Sequence, residues 1–267
     1  MGKLIFDANG ERFYETGVNE CALYPQAANG SYPAGVAWNG ISNITEKPSG
    51  AEASPIYADN IKYLNLYSAE TFGATVQAYY YPDEFALCDG SAELATGVMI
   101  GQQNRAAFGL AYKTRLGNDI ENNDLGYKLH LLYGCKASPS EKAYATINDS
   151  PEAIQFSWEL TTVPVTVTGF KPTACVIIDS TKVNATKLTQ FEDIIYGSTT
   201  YSYTKTSDVA IDPEKTYYTK NGDVYTKVTN PDVSDIGDYY ERTATETTAR
   251  LPLPDEVASF FGSNSNS

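Results

Sequence analysis

The chain has 267 residues, with 33 acidic against 19 basic side chains and a net charge of −14. That balance argues against nucleic-acid binding, which needs Lys and Arg to neutralise phosphates, and against anionic membrane surfaces. No apolar run reaches the roughly 18 residues of a membrane helix, and residues 1–7 hold no hydrophobic stretch long enough for a signal peptide.

The hydrophobic fraction, 42%, is ordinary, and 21 tyrosines dominate the aromatics. Tyrosine is amphipathic and suits half-buried strands and interfaces. Cys21, Cys88, Cys135 and Cys175 lie far apart and lack CxxC spacing, which predicts reduced thiols in a protein made in the cytosol. The Asn-x-Ser/Thr triplets at Asn29, Asn43, Asn148 and Asn184 are then chance matches.

Residues 1–35 read as extended, with a Gly/Asn/Pro loop at 29–35. Short strands are predicted at 36–44, 55–58 and 61–67. In the third, Ile61, Tyr63 and Asn65 alternate with Lys62, Leu64 and Leu66, so neither face is clearly the buried one. The strand 72–81 is better defined, with Thr75, Gln77, Tyr79 and Tyr81 on one side and Ala74, Val76, Ala78 and Tyr80 on the other. Pro82 opens a short helix to Leu87, with Asp83 and Glu84 in the first turn, where the helix dipole favours acids. Two strands, 105–115 and 125–134, flank a long polar turn at 117–124 that reads as an exposed, mobile loop. Residues 136–150 are a further polar connection.

The stretch 151–179 is the most informative. Ile154, Phe156, Trp158 and Leu160 point one way, and Gln155, Ser157, Glu159 and Thr161 the other, the period of a strand with one buried face. Pro164 forbids a central ladder position in 163–167, and residues 169–172 turn the chain. A second strand, 174–179, reads as buried on both faces. A helix is predicted over 185–196, with Asn184 as N-cap, Leu188, Phe191, Ile194 and Ile195 as apolar stripe, and Gly197 at the C-terminal position.

Residues 199–245 change character. Tyr-Thr-Lys occurs three times, and Asn221-Gly222 between alternating segments is a hairpin signal. Leu, Met and Trp are absent, so any core leans on tyrosine. The segment reads as a small inserted β module, with one long twisted hairpin of the main domain as the alternative. Beyond it, the prolines of 251–257 predict extended chain, Phe260 and Phe261 an exposed apolar anchor, and 263–267 a disordered tail.

The chemical motifs are sparse. His130 is the one histidine and has no HxxxH or HxxE companion, so a metal centre is not predicted. Nucleophile-elbow, phosphate-loop and dinucleotide fingerprints are missing. The adjacent acids Asp83-Glu84, Glu192-Asp193 and Asp255-Glu256 read as solvated charge rather than a glycosidase pair. No catalytic, cofactor-binding or metal-ligating residue is assigned, and the chain does not read as an enzyme. Leu4, Ile5 and Phe6 at one end and Leu251, Leu253, Phe260 and Phe261 at the other are candidate contacts to partners.

In order and spacing, four stretches are shared with a known family: Tyr81-Pro82-Asp83-Glu84-Phe85, Cys88-Asp89-Gly90, the block 151–179, and Ala249-Arg250-Leu251-Pro252-Leu253-Pro254. Over about 1–198 and 246–262 the chain resembles the major tail tube protein of long, non-contractile-tailed (siphovirus-type) bacteriophages. The resemblance implies a mainly β chain: a β-sandwich or barrel-like tail tube domain, 1–198 plus 246–262, with one flanking helix and with 199–245 inserted. It implies six copies per ring and rings stacked head to tail, with sheets joined around a channel that duplex DNA crosses without specific binding. Implied partners are other copies of the chain and the tape measure, tail terminator and distal tail proteins. The implied location is the virion tail, after synthesis in the host cytoplasm, with no cofactor and no membrane. Glu159, on the polar side of its strand, is a candidate channel-lining acid, or else part of a solvated sheet face elsewhere. The other reading is a surface-exposed β-sandwich that binds carbohydrate or serves adhesion, with the tyrosine-rich segment stacking sugars.

Overall fold

In a computed structural model that describes residues 4–147, 149, 152–208 and 210–262, the chain is mainly β. The predicted tail at 263–267 and the triplet at Asn148 lie outside the described residues. The chain divides into two compact units, one running to Tyr196 and resuming at Ala249, the other Gly197–Thr248.

The first unit holds β1 (Tyr14–Pro25), β2 (Val36–Ala37), β3 (Ile41–Glu46), β4 (Ser49–Gly50), β5 (Ala53–Ala58), β6 (Ile61–Tyr67), β7 (Glu70–Thr71) and β8 (Gly73–Ala78). A short 3-10 turn at Asp83–Phe85 follows, then β9 (Ala92–Ala95), β10 (Val98–Ile100), β11 (Phe108–Asn118), β12 (Asn122–Ala137), β13 (Phe156–Thr162), β14 (Cys175–Asp179) and α1 (Ala185–Tyr196). The main sheet runs β2-β1-β11-β12-β13-β8-β3, with β14 beside β12, and its pairings are antiparallel. It curls until Glu46 on β3 reaches Tyr112 on β11, whose hydroxyl donates to it at 2.5 Å.

Two cores lie on opposite faces of this sheet. Inside the curl, Leu23, Val76, Leu110, Leu132 and Leu160 pack with Trp38, Phe85, Phe108 and Trp158. On the outer face, Tyr24, Ala111, Leu129, Leu131, Tyr133 and Ile178 meet Leu188, Phe191 and Ile195 of α1. The doubly buried strands are therefore β11 and β12, whose successive residues feed the two cores in turn. β14, expected to be buried on both faces, has only β12 beside it among the described residues and leaves Ile177 half exposed.

β12 changes partner along its length. It pairs β14 at Lys128–Leu132 and β13 at Cys135–Ala137. The change falls at Gly134, with φ +58, where a Cβ would overlap the Val163 carbonyl oxygen, so glycine is required. The long mobile turn expected at 117–124 is a correction too. The strands run on to pair Asn118 with Asn122, because Asn118 Oδ1 accepts from the Ile120 and Glu121 amides and closes the turn in three residues.

α1 forms as its caps dictate: Asn184 Oδ1 accepts the Lys187 amide at 3.1 Å, and Gly197 has φ +77. A second helix, α2 (Pro254–Gly262), replaces the extended C-terminal arm expected from the prolines. Pro254 occupies the first helical position, where its missing N–H costs nothing, and Asp255 and Glu256 fill the first turn.

The second unit is a four-stranded sheet, β15 (Ser198–Lys205), β18 (Tyr239–Thr247), β16 (Tyr217–Asn221) and β17 (Val224–Lys227), in that order. Asn221 pairs Val224 around Gly222, which has φ +61. One face packs Tyr217, Tyr239 and Ile236 with Ile211 and Val228 as a small core.

Candidate assembly interface

Between β3 and β8 the chain does not turn back at once. It continues through β4–β7 and β5–β6 as a two-stranded hairpin whose tip residues, Asp59 and Asn60, both take positive φ. The register shifts by one residue at Tyr63, so Ile61, Leu64 and Leu66 lie on one side with Ile56, and Tyr67 lies on the other with Tyr57. All are exposed, Ile61, Tyr63 and Tyr67 by about two thirds. Neither face of the hairpin is covered by the chain's own core, which is why no buried face was legible in its alternation. An isolated two-stranded hairpin is marginal in water, and contiguous exposed apolar surface of this kind makes the hairpin a candidate for a partner contact.

Smaller features repeat the pattern. Leu94, Val98 and Met99 are exposed on the β9–β10 hairpin, and Leu4, Ile5 and Phe6 are each at least 74% exposed. The curl also has an open seam. β2 covers β1 only at Ala22 and Leu23. The rest of that edge opens on a cleft of about 560 Å³ lined by Val18, Trp38, Ile41, Ile195 and Tyr196 among others. There Asn19 Oδ1 is buried with no hydrogen-bond partner among the described residues. Unpaired strand edges of this kind are templates for another chain.

Of the predicted terminal contacts, Leu4, Ile5, Phe6 and Leu253 are exposed. Leu251 is buried, sits in a bridge with Tyr32 and belongs to the outer core. Phe260 and Phe261 pack on Phe191 at ring distances of 5.4 and 5.1 Å, so the exposed anchor becomes a helix docked on its own chain. Leu253 keeps partial exposure. The stretch 249–254 acts as a strap: Arg250 donates its amide to Ile194, and the Pro252 carbonyl accepts from the Tyr133 hydroxyl. Glu159 is exposed on the face of β13 opposite Trp158 and Leu160, 4.0 Å from Lys47.

The buried charges are committed to structure. Asp89 accepts from Trp158 Nε1 at 3.1 Å and pairs Arg105 and Lys142. Lys113 pairs Glu20 and Glu192, each at 2.7 Å, over the Tyr127 ring. His130 stacks on Tyr112 and donates to Glu46 at 3.0 Å, and its other nitrogen meets Thr114. That bond from His130, with the Tyr112 hydroxyl, holds the Glu46 carboxyl below the usual range against the opposing effect of burial. Burial pushes the thiols of Cys21, Cys88 and Cys175 up to about 12, out of the nucleophilic range. Among the described residues no group of three His, Cys, Asp or Glu side chains is arranged to hold a metal, and no helix is long and apolar enough to cross a membrane.

Comparison with protein-family models and with curated proteins finds no match for this chain.

Proposed function

We propose that the chain is a self-assembling structural subunit, the repeating unit of a tail tube of the long, non-contractile phage type, and not an enzyme. The observation that carries this reading is the β5–β6 hairpin, apolar on both faces and projecting from the main sheet. A surface of that kind gains free energy only when another chain covers it, at roughly 25 cal/mol per Å² of apolar area. The open edges of β1, β3 and β14 and the exposed N-terminal residues add further places for a copy to attach. Contacts between different patches on successive copies propagate, closing as rings or continuing as filaments. In the proposed assembly, six-membered rings stack head to tail in the virion. The acidic balance keeps the channel wall from trapping passing DNA, since each basic contact to phosphate would add affinity. The tape measure, tail terminator and distal tail proteins are its proposed neighbours.

Charge makes the reading testable. Copies bearing −14 each repel, so association strengthens as added salt shortens the screening length towards about 8–10 Å. Sedimentation velocity across concentration and salt should show large particles growing with both. Assembly strongest at the lowest salt would refute the reading.

A further inference from the structure

The second unit carries a face on which the proposed tube does not draw. Strand register places Tyr201, Tyr203 and Lys205 of β15, Tyr240 and Arg242 of β18, Tyr218 and Lys220 of β16, and Tyr225 and Lys227 of β17 on one side of its sheet. Their contacts agree: Tyr203 stacks on Tyr225 at 3.9 Å, Tyr218 and Tyr240 meet that pair edge-on, and Lys220 lies over the Tyr225 ring. The core residues Tyr217, Ile236 and Tyr239 occupy the opposite side. Five tyrosines and four cations thus share one face, in a chain that is strongly acidic overall. Among the described strand residues the acid on this face is Glu246, paired with Thr199 at the far end of β15.

The cations are largely uncommitted. Lys205 pairs Asp238 at 3.5 Å. Among the described residues, no carboxylate comes within pairing distance of Arg242, Lys220 or Lys227. Arg242 instead lies over Tyr201, 4.4 Å from the ring centre, and over Tyr218. Beside it opens a recess of about 270 Å³ lined by Lys215, Thr216, Tyr218, Glu241 and Arg242. Lys215 and Glu241 neutralise one another there at 3.2 Å, and Lys215 also holds Asp208. Arg242 is left as the free charge of the recess.

We propose that this face binds a glycan bearing acid groups, with one sugar seated in the recess beside the edge of Tyr218, its carboxylate or phosphate held by Arg242, and its neighbour reaching the exposed Tyr201. Lys220 and Lys227 take the acids of neighbouring sugars along the sheet. This goes beyond the tube reading and does not depend on it. The chemistry selects the ligand. Aromatic rings present flat apolar surface to the C–H faces of sugars, and a guanidinium grips a carboxylate or phosphate with two parallel hydrogen bonds. Single-stranded nucleic acid fits less well. It needs several open rings in a row on which successive bases stack, whereas Tyr203 and Tyr225 already stack on each other.

The test is calorimetric titration of the full-length protein with trigalacturonate, a phosphorylated maltotriose, neutral maltotriose and a short oligo-dT. Binding of either acidic sugar, at least tenfold tighter than maltotriose, is expected, and which one binds identifies the acid. Arg242→Ala should weaken it roughly tenfold to a hundredfold, the loss of one charge-assisted hydrogen-bonding group. Lys220→Gln with Lys227→Gln should flatten its salt dependence, and all variants should melt with the wild type. No binding of either acidic sugar, equal binding of maltotriose, tighter binding of oligo-dT, or an unchanged affinity in folded Arg242→Ala would each overturn the proposal. Removal of the second unit should abolish glycan binding while leaving assembly in place, which separates this proposal from the tube reading.

Discussion

The hairpin offers the sharpest test. Replacing Ile61, Tyr63 and Tyr67 together by serine strips exposed apolar surface from both of its faces. In the lone subunit these side chains are about two thirds exposed, so the change should cost folding little, within about 0.5 kcal/mol per site as for ordinary surface positions. In an assembly that covers them, the exposed portions amount to about two whole side chains, worth roughly 3–6 kcal/mol per contact at about 1.5–3 kcal/mol each. At about 1.4 kcal/mol per decade, the association constant should fall between a hundredfold and ten-thousandfold. Sedimentation equilibrium gives the association constant, and a denaturant melt of dilute protein gives the folding cost. Undiminished assembly, or a loss of several kcal/mol in folding, would show that the hairpin is not an interface and refute the reasoning.

Further outcomes follow from the packing. Phe191→Ala, which empties the site under Phe260 and Phe261, should cost about 3–5 kcal/mol and expose α2 to protease, read by melts and limited proteolysis. Glu46 has a lowered folded-state pKa, so its contribution to stability is complete above the usual carboxylate range and disappears as pH falls through the depressed value. Melts between about pH 6 and about pH 3 should show Glu46→Gln less sensitive to acid than wild type. Native protein at neutral pH should leave Cys21, Cys88 and Cys175 unreactive towards a thiol reagent, with rapid labelling on unfolding. Deleting residues 197–248 should leave the first unit folded, because the Arg250 amide bonds the Ile194 carbonyl and keeps the cut ends close. Circular dichroism of the deleted protein checks this.

What the sequence disclosed was what local chemistry decides. The helix from Ala185 to Tyr196 could be read from Asn184, its apolar stripe and Gly197, since caps act within one turn. The strand through Trp158 and the turn at Asn221-Gly222 were legible for the same reason. Tertiary partners decided the rest. Asn122, Asn123 and Asp124 look like loop, yet β11 lies alongside and draws them into β12. Ile177 and its neighbours look like a central strand, yet nothing among the described residues pairs their outer edge. Pro252 and Pro254 suggest extension, but Phe191 offers a seat that makes the final turns helical. Of the candidate interface, the N-terminal residues were visible in sequence, whereas the hairpin was an unresolved alternation. A strand with no buried face carries no period that separates inside from outside.

The central claim is that copies of this chain build a hollow polymer. Negative-stain electron microscopy of the concentrated wild-type protein in moderate salt tests it directly. The account predicts tubes of stacked rings with a central channel, and particles of single-subunit size at every concentration and ionic strength would contradict it.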